Sequence, residues 1–344
     1  MLPEISIAPP SIFEGVPAEY HDNPIGYIRS CAPLPLHAEE LIDKAITQVA
    51  LERLVIADDI DSMGLSTPLP NWLAVMNFRW QKMSKIGNAV FSMLPDVRGE
   101  DDKVDLGIDS LPIYCITSKF NLHARLFSEW ERTGIPIDTT MVQQHTRRVS
   151  EAIEVSTIWG PPANFQVNGA TVPGLLTAPN GSIFQYSSNL KWDDPSKTGI
   201  EIVDDVLGMI DAEQANQMYG PYILYVGTKY GNVLNQDYKT ANVNTVTTRQ
   251  RLLEIEEISA IKKADRLPKD TVLMIQPTSN VVKMIKGQSP TAVSWMEGPP
   301  GLQTRRYMIL ACMIPQVIET YSGGTNNAGQ SGVVIGTSNG VVGQ

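Results

Sequence analysis

Reactive side chains are scarce in this chain. Its four histidines, His21, His37, His123 and His145, are scattered over 344 residues, none in an HExxH or HxH spacing or beside a cysteine, so no metal site is legible. The three cysteines, Cys31, Cys115 and Cys312, lack any CxxC spacing and read as separate buried thiols in a reducing compartment, not as a disulfide framework. There is no GxxxxGK[ST] loop and no GxGxxG after a strand, which removes the common phosphate cradles. Long hydrophobic runs are missing too. The opening MLPEISIAPPSIFEG has neither a basic start nor an apolar stretch, so the chain is expected to carry no signal peptide and to span no membrane. Positive charge is in deficit, with 27 basic against 37 acidic residues and a net charge of −10, which argues against a protein whose main task is gripping nucleic-acid phosphates.

The groups that could carry chemistry have simpler readings. Asp58, Asp59 and Asp61 resemble the start of a hard-cation loop, but the glycine and terminal glutamate of an EF-hand are missing, and a solvated turn after a helix is expected. Glu100, Asp101 and Asp102 read as a loop tip, able to face lysines of another subunit. Asn180-Gly-Ser182 is a formal glycosylation sequon without a secretory signal. Trp72, Trp80, Trp130, Trp159, Trp192 and Trp295 are not interleaved with Arg and Lys, so they read as core or interface residues and not as base-stacking platforms. His145 lies on an apolar helix face and reads as a packing residue. The chain is expected to have no catalytic, cofactor-binding or metal-binding residues, no cofactor and no enzymatic activity.

What the sequence does hold is organisation. At 42% hydrophobic residues it can bury one large core or two smaller ones, and two lobes are expected. The first 36 residues are proline-rich and also apolar (Ile5, Ile7, Ile12, Phe13, Tyr20), a pattern that predicts an extended arm lying against something, such as a neighbouring copy. His37 to Ile56 has helical apolar spacing through Leu41, Ile42, Ala45, Ile46, Val49 and Leu54. LPIYCITSKFNL (Leu111 to Leu122) has strand composition, and His123 to Arg132 reads as a helix. The clearest element is a helix from Asp138, its expected cap, to Trp159, stopped by Gly160, Pro161 and Pro162. Met141, Val142, His145, Val149, Ala152, Ile153 and Ser156 form its apolar face, with Arg147, Arg148, Glu151 and Glu154 on the remainder. Ile200 to Met218 reads as an acidic amphipathic helix, followed by a strand (Tyr222 to Gly227), two short helices and a strand (Glu257 to Ala264), an α/β alternation. From Thr271 the pattern predicts an antiparallel sheet of TVLMIQP, NVVKMIKGQ, TAVSWMEG and RRYMILACMIPQVIET. The chargeless Gly, Asn and Ser-rich end reads as a loosely docked tail.

The order of arm, helix, charged loop, strand, long helix, α/β lobe and returning strands resembles the major capsid proteins of tailed bacteriophages, the Hong Kong 97-like fold shared with encapsulins. The resemblance is firmest from Leu111 to Thr177, through GIP, the long helix, Trp159-Gly160, Asn168-Gly169 and Pro173-Gly174-Leu175-Leu176. It continues through Gly220-Pro221-Tyr222, Lys286-Gly287-Gln288 and the Arg305 to Ile318 strand. It implies an α+β fold with an N-terminal arm (1–36), an N-terminal helix and connection (37–70) and an extended loop (71–110). A peripheral domain (111–199 and 271–322) with a spine helix (138–159), an axial domain (200–270) and a Gly-rich tail (323–344) would follow. The function it implies is a head protein assembling with itself as hexamers and pentamers into an icosahedral shell around double-stranded DNA, without sequence-specific binding. Portal, scaffolding and cement or decoration proteins would be its partners, the virion its location and the host cytoplasm its place of assembly. An encapsulin-type compartment shell enclosing a cargo enzyme is the alternative. Chain length favours the phage head, and the acidic balance suits an inner wall that does not trap packaged DNA.

Overall fold

The computed structural model describes residues 40, 42–46, 55–83, 106–122, 140–162, 165, 172–178, 181–238, 246–298, 304–318 and 331–338. The expected N-terminal arm, the 84–105 part of the extended loop with its acidic tip, the 123–132 helix and the Asp138 cap lie outside them. Of the helix expected over 37–56, residues 42–46 are helical, with Ile42, Ala45 and Ile46 buried. In chain order the elements are α1 (Ile56–Ser62), β1 (Ser66–Pro68), β2 (Asn77–Met83), β3 (Leu106–Pro112), β4 (Ile116–Leu122), α2 (Thr140–Trp159) and β5 (Ser182–Gln185). They continue with α3 (Gly199–Ala215), β6 (Tyr222–Val226), α4 (Thr228–Val233), α5 (Thr248–Leu253), β7 (Ile258–Lys263), β8 (Thr271–Ile275), β9 (Val282–Glu297), β10 (Thr304–Val317) and β11 (Val333–Thr337). This is the expected α+β class.

The first sheet has the order β1-β9-β10-β4, antiparallel except for β1, which runs parallel to β9. Alternation along its strands divides two cores. Tyr307, Ile309, Ala311 and Met313 of β10 face the core shared with α2, whereas Leu310, Cys312 and Ile314 face a second cluster with Trp72, Leu111, Tyr114 and Val172. The sequence suggests a break at Ser289-Pro290, yet β9 is one continuous strand. Leu310 pairs with Thr291 and Cys312 with Gln288, so Ser289 and Pro290 together oppose Ala311 alone. Such a bulge takes Pro290 out of the regular ladder, which is how a proline survives inside a long strand.

The second sheet has the order β5-β11-β8-β6-β7 and mixes parallel and antiparallel pairs. Here two expectations are corrected. Thr271–Ile275 belongs to this sheet and not to the antiparallel one, and the tail is not loosely docked throughout, because its residues Val333–Thr337 form a fully buried strand between β5 and β8. The reason is burial of both sheet faces. Val272, Met274, Leu224, Val226 and Val334 point toward α3, while Leu273, Ile275, Ile223, Tyr225, Val333 and Ile335 join the core of α2 and the first sheet. Strands covered on both sides read as unbroken apolar runs, and a charged tail could not enter such a position.

Helix α2 lies between the two bodies. Val142, Val149 and Ile153 are buried as their spacing predicts, and the helix packs on β10 and β4. Two residues depart from that reading: Met141 is 42% exposed, and Glu154, placed by periodicity on the outer face, is buried. Burying a carboxylate is costly unless it is satisfied, and Glu154 is satisfied by an element distant in sequence.

Candidate functional site

Glu154 accepts hydrogen bonds from the backbone N–H groups of Ile56 (2.9 Å) and Ala57 (3.2 Å), the first residues of α1. These are orphan donors of a helix whose own N-cap, Val55, offers no side-chain bond, so the carboxylate of α2 caps α1 from across the interior. Burial pushes the Glu154 carboxyl above its ordinary range against the pull of these N–H groups. The acids Asp58, Asp59 and Asp61 therefore sit within a helix and not in a solvated turn, and two of them reach other elements. Asp59 accepts from the Tyr225 hydroxyl of β6 (2.9 Å) and pairs with Lys262 of β7 (2.5 Å), while Asp61 pairs with Lys286 of β9 (2.5 Å). Asp58 remains more open, its carboxyl raised by partial burial and by its two acidic neighbours. Glu151, one turn from Glu154, pairs with Arg266 beyond β7 (2.7 Å). Together these contacts form a polar joint that fixes the second sheet against α2 and the first.

The far end of α2 explains the sequence segment that stood out. The last carbonyls of a helix lack intrahelical donors. Leu175 N–H donates to Thr157 O (2.9 Å), Leu176 N–H to Ile158 O (2.8 Å) and the Thr177 hydroxyl to Trp159 O (3.0 Å). The PGLLT stretch thus caps the helix C-terminus, with Leu175 and Leu176 buried beside it. Backbones touch at the crossing. A Cβ on Gly174 would lie 2.2 Å from Gly160 N, and one on Gly160 2.3 Å from Val172 O, and Gly160 also has φ +87°. Both glycines are fixed by this approach.

Behind the second sheet lies a network that the sequence reading missed. Lys197 and Asp205 form an ion pair of 2.8 Å with both side chains wholly buried. The Lys197 ammonium also donates to Ser187 O (2.9 Å) and Ser187 Oγ (3.0 Å), which accounts for its three donors. Asp205 accepts in addition from Ser187 N–H (2.7 Å) and Trp192 Nε1–H (2.9 Å). Tyr186, Trp192 and Tyr230 close over it. The helix carrying Asp205 starts with a reciprocal cap, Thr198 accepting from Glu201 N–H and Glu201 from Thr198 N–H. The T-x-x-E spacing was readable, but nothing local marked Lys197 as a core residue.

Among the described residues no group of three His, Cys, Asp or Glu side chains could hold a metal ion, and no helix is long and apolar enough to cross a membrane. His145 hydrogen-bonds Ser118 Oγ (2.7 Å) and stacks on Phe120, and burial with nearby Arg148 holds its imidazole below the ordinary range. Trp72 and Trp192 are buried. The cysteines depart from the reading of separate buried thiols, because Cys115 is exposed and lies near enough to the buried Cys312 for each thiol to shift the titration of the other. Exposed apolar groups gather elsewhere. On the two-stranded β2–β3 ribbon, Phe78, Trp80 and Leu111 turn inward, while Ile108 is 75% exposed and Met76, just ahead of β2, 82%. Ile183 on the edge strand β5, Leu207 on α3 and Tyr219 are exposed too. An isolated ribbon is marginally stable in water, and large exposed apolar groups on one are a mark of contact surface.

The description "Family of unknown function (DUF6260)" fits a model that matches residues 54–310. The chain belongs to that family. No curated protein matches this family member. Among solved structures its fold is similar to the virus-like particle from Pyrococcus furiosus, at 15% identity and TM-score 0.56, covering 86% of this chain and 98% of that one. It is also similar to the capsid of Myoviridae phage XM1, at 9% identity and TM-score 0.57 over 76% of this chain and 86% of the other. For the capsid of the native GTA particle the values are 8% and 0.55 over 81% and 89%. The fold of this DUF6260 member is thus the capsid fold that its residue order resembles.

Proposed function

We propose that the chain is a major capsid protein, which self-assembles through hexamers and pentamers into an icosahedral shell around the double-stranded DNA of a tailed bacteriophage. The observation that carries this reading is a fold shared over most of the chain with subunits of closed particles, 98% of the Pyrococcus furiosus one included. Its role is shape and contact, not catalysis. In this reading α2 and the first sheet form the peripheral domain, the second sheet with α3 the axial one, and the β2–β3 ribbon the base of the extended loop that lies on a neighbour. The β11 strand of the tail belongs with the axial body. Portal, scaffolding and cement or decoration proteins complete the head, which is assembled in the host cytoplasm, and DNA is enclosed without sequence-specific contacts, in keeping with the net charge of −10.

The virus-like particle among the similar structures also favours a second reading, a shell enclosing a cargo enzyme. Electron microscopy of the expressed chain tests both. Closed shells support a shell subunit, and protein that stays monomeric under all assembly conditions overturns both readings. Shells containing DNA when produced with their packaging partners favour the head, while a copurifying enzyme held by a docking peptide favours the compartment.

A further inference from the structure

Two thiols that are far apart in the sequence meet at one end of the first sheet. The β4–β10 ladder runs from Arg305 opposite Leu122 to Ala311 opposite Ile116, so Cys312 and Cys115 are the next residues beyond its last pair. One further pair in this register would set the two directly opposite on a shared face, with Cβ atoms about 4.5–5.5 Å apart. A disulfide needs about 3.5–4.5 Å, so a closing movement on the order of 1 Å suffices. Cys115 can make that movement. It precedes the edge strand β4, outside its ladder, and is exposed, whereas Cys312 is fixed in the packed cluster of Trp72, Ile285 and Ile314. We propose that Cys115 and Cys312 are a redox pair that closes to an intramolecular disulfide on contact with a disulfide oxidant, stapling the edge strand β4 to the central strand β10.

The exposure of the two partners sets the order of steps. The thiolate of Cys115 attacks one sulfur of glutathione disulfide, forming a mixed disulfide and releasing one glutathione thiolate, which takes up a proton. Cys312 then loses its proton, its sulfur attacks the sulfur of Cys115, and the second glutathione leaves. Two protein thiols are oxidised and one glutathione disulfide is reduced to two glutathiones. The electrostatics agree with this assignment, because the hydrogen bond from Cys312 holds the Cys115 thiol below its ordinary range, while the same contact and burial push Cys312 up. The outer sulfur is the attacking one and the inner sulfur resolves. In a reducing compartment the pair stays as thiols, and in oxidising surroundings it locks a loop containing all of α2 and most of the second sheet. The inference holds whether or not the chain builds a shell.

The test uses the full chain, reduced, desalted, incubated with glutathione disulfide at mildly alkaline pH, quenched with a maleimide and digested without reductant. The expected result is a fall in free thiols from three to one per chain, a crosslinked peptide joining Cys115 to Cys312, alkylated Cys31, and reversal by dithiothreitol. Cys115→Ser, a change at an exposed position, should leave Cys312 unmodified and abolish the crosslink. Cys312→Ala should accumulate glutathione on Cys115. Three thiols still titratable after oxidation, a lasting glutathione adduct on wild-type Cys115, or a crosslink between chains would each overturn the proposal. Oxidation should also raise the urea midpoint of the wild type and leave that of Cys115→Ser where it was.

Discussion

Replacing Lys197 by Met probes the buried network of the second sheet most directly. The methylene stem keeps its packing beneath Tyr186, but the ammonium that balances Asp205 disappears. Removing one partner of a buried pair costs about 3–5 kcal/mol, because the remaining charge stays in the interior. Asp205 retains two donors, Ser187 N–H and Trp192 Nε1–H, so the lower end, about 3 kcal/mol, is expected. Removing both charges should not restore stability. In Lys197→Met with Asp205→Leu those two donors lose their acceptor, and each buried orphan costs about 1–3 kcal/mol. Against a typical total of about 5–15 kcal/mol, either change should lower the urea midpoint visibly. Unfolding of the unassembled variants, followed by tryptophan fluorescence to which Trp192 contributes, measures it. A single variant losing less than about 1 kcal/mol, or a double variant as stable as wild type, would refute the account of a satisfied network centred on Asp205.

Glu154→Ala strips α1 of its cap and should cost about 3 kcal/mol, with amide exchange accelerating at Ile56 and Ala57 before it does in β8; unchanged exchange at those two amides would count against the joint. Glu213 is buried, its carboxyl oxygens have no hydrogen-bond partner among the described residues, and burial raises it from the ordinary 4.5 to about 7. Folding therefore favours its neutral form, a contribution full below pH 4.5 and lost as pH rises toward 7. Glu213→Gln should accordingly gain up to about 3 kcal/mol relative to wild type at pH 8 and little at pH 4, and a pH-independent difference would exclude the assignment. Gly174→Ala forces a methyl into the backbone of Trp159 and Gly160 and should yield insoluble chain, whereas soluble, folded variant would show that the crossing can open. Ile108→Asp on the ribbon should leave the melting temperature of the unassembled chain unchanged while reducing particle yield in electron micrographs; undiminished yield would remove Ile108 from the contact surface.

The parts of this structure legible in the sequence are those whose cause is local. Periodicity places Val142, Val149 and Ile153 on the buried face of α2, because a helix meeting a core must repeat apolar residues at steps of three and four. Gly160 with Pro161 and Pro162 stops the helix for reasons of backbone geometry alone. Periodicity misplaces Glu154, and the reading of a solvated turn misplaces Asp59. Their burial is decided by partners far along the chain, the N–H groups of α1 in one case and Tyr225 with Lys262 in the other, and a period of 3.6 carries no information about them.

The tail shows why composition can mislead in the opposite direction. A chargeless segment rich in Gly and Asn has the same composition whether it is a linker or the filling of a two-sided core, since both exclude Lys, Arg, Asp and Glu. What separates the two is the short run VVIGT, whose five positions are all buried in β11. Gly336 has a structural use there: a Cβ would meet Tyr186 at 2.8 Å, and the Tyr186 hydroxyl donates to Gly336 O at 2.7 Å. The strand consequently joins the aromatic cluster packed against α3 to the sheet that faces α2, and the second body is closed by a segment far from the rest of it in sequence. Truncating the chain before Ser331 would leave β5 and β8 with unpaired inner edges and Tyr186 without its acceptor. The tail is thus a folding element of the second body, and its removal should expose the core and not merely shorten an extension.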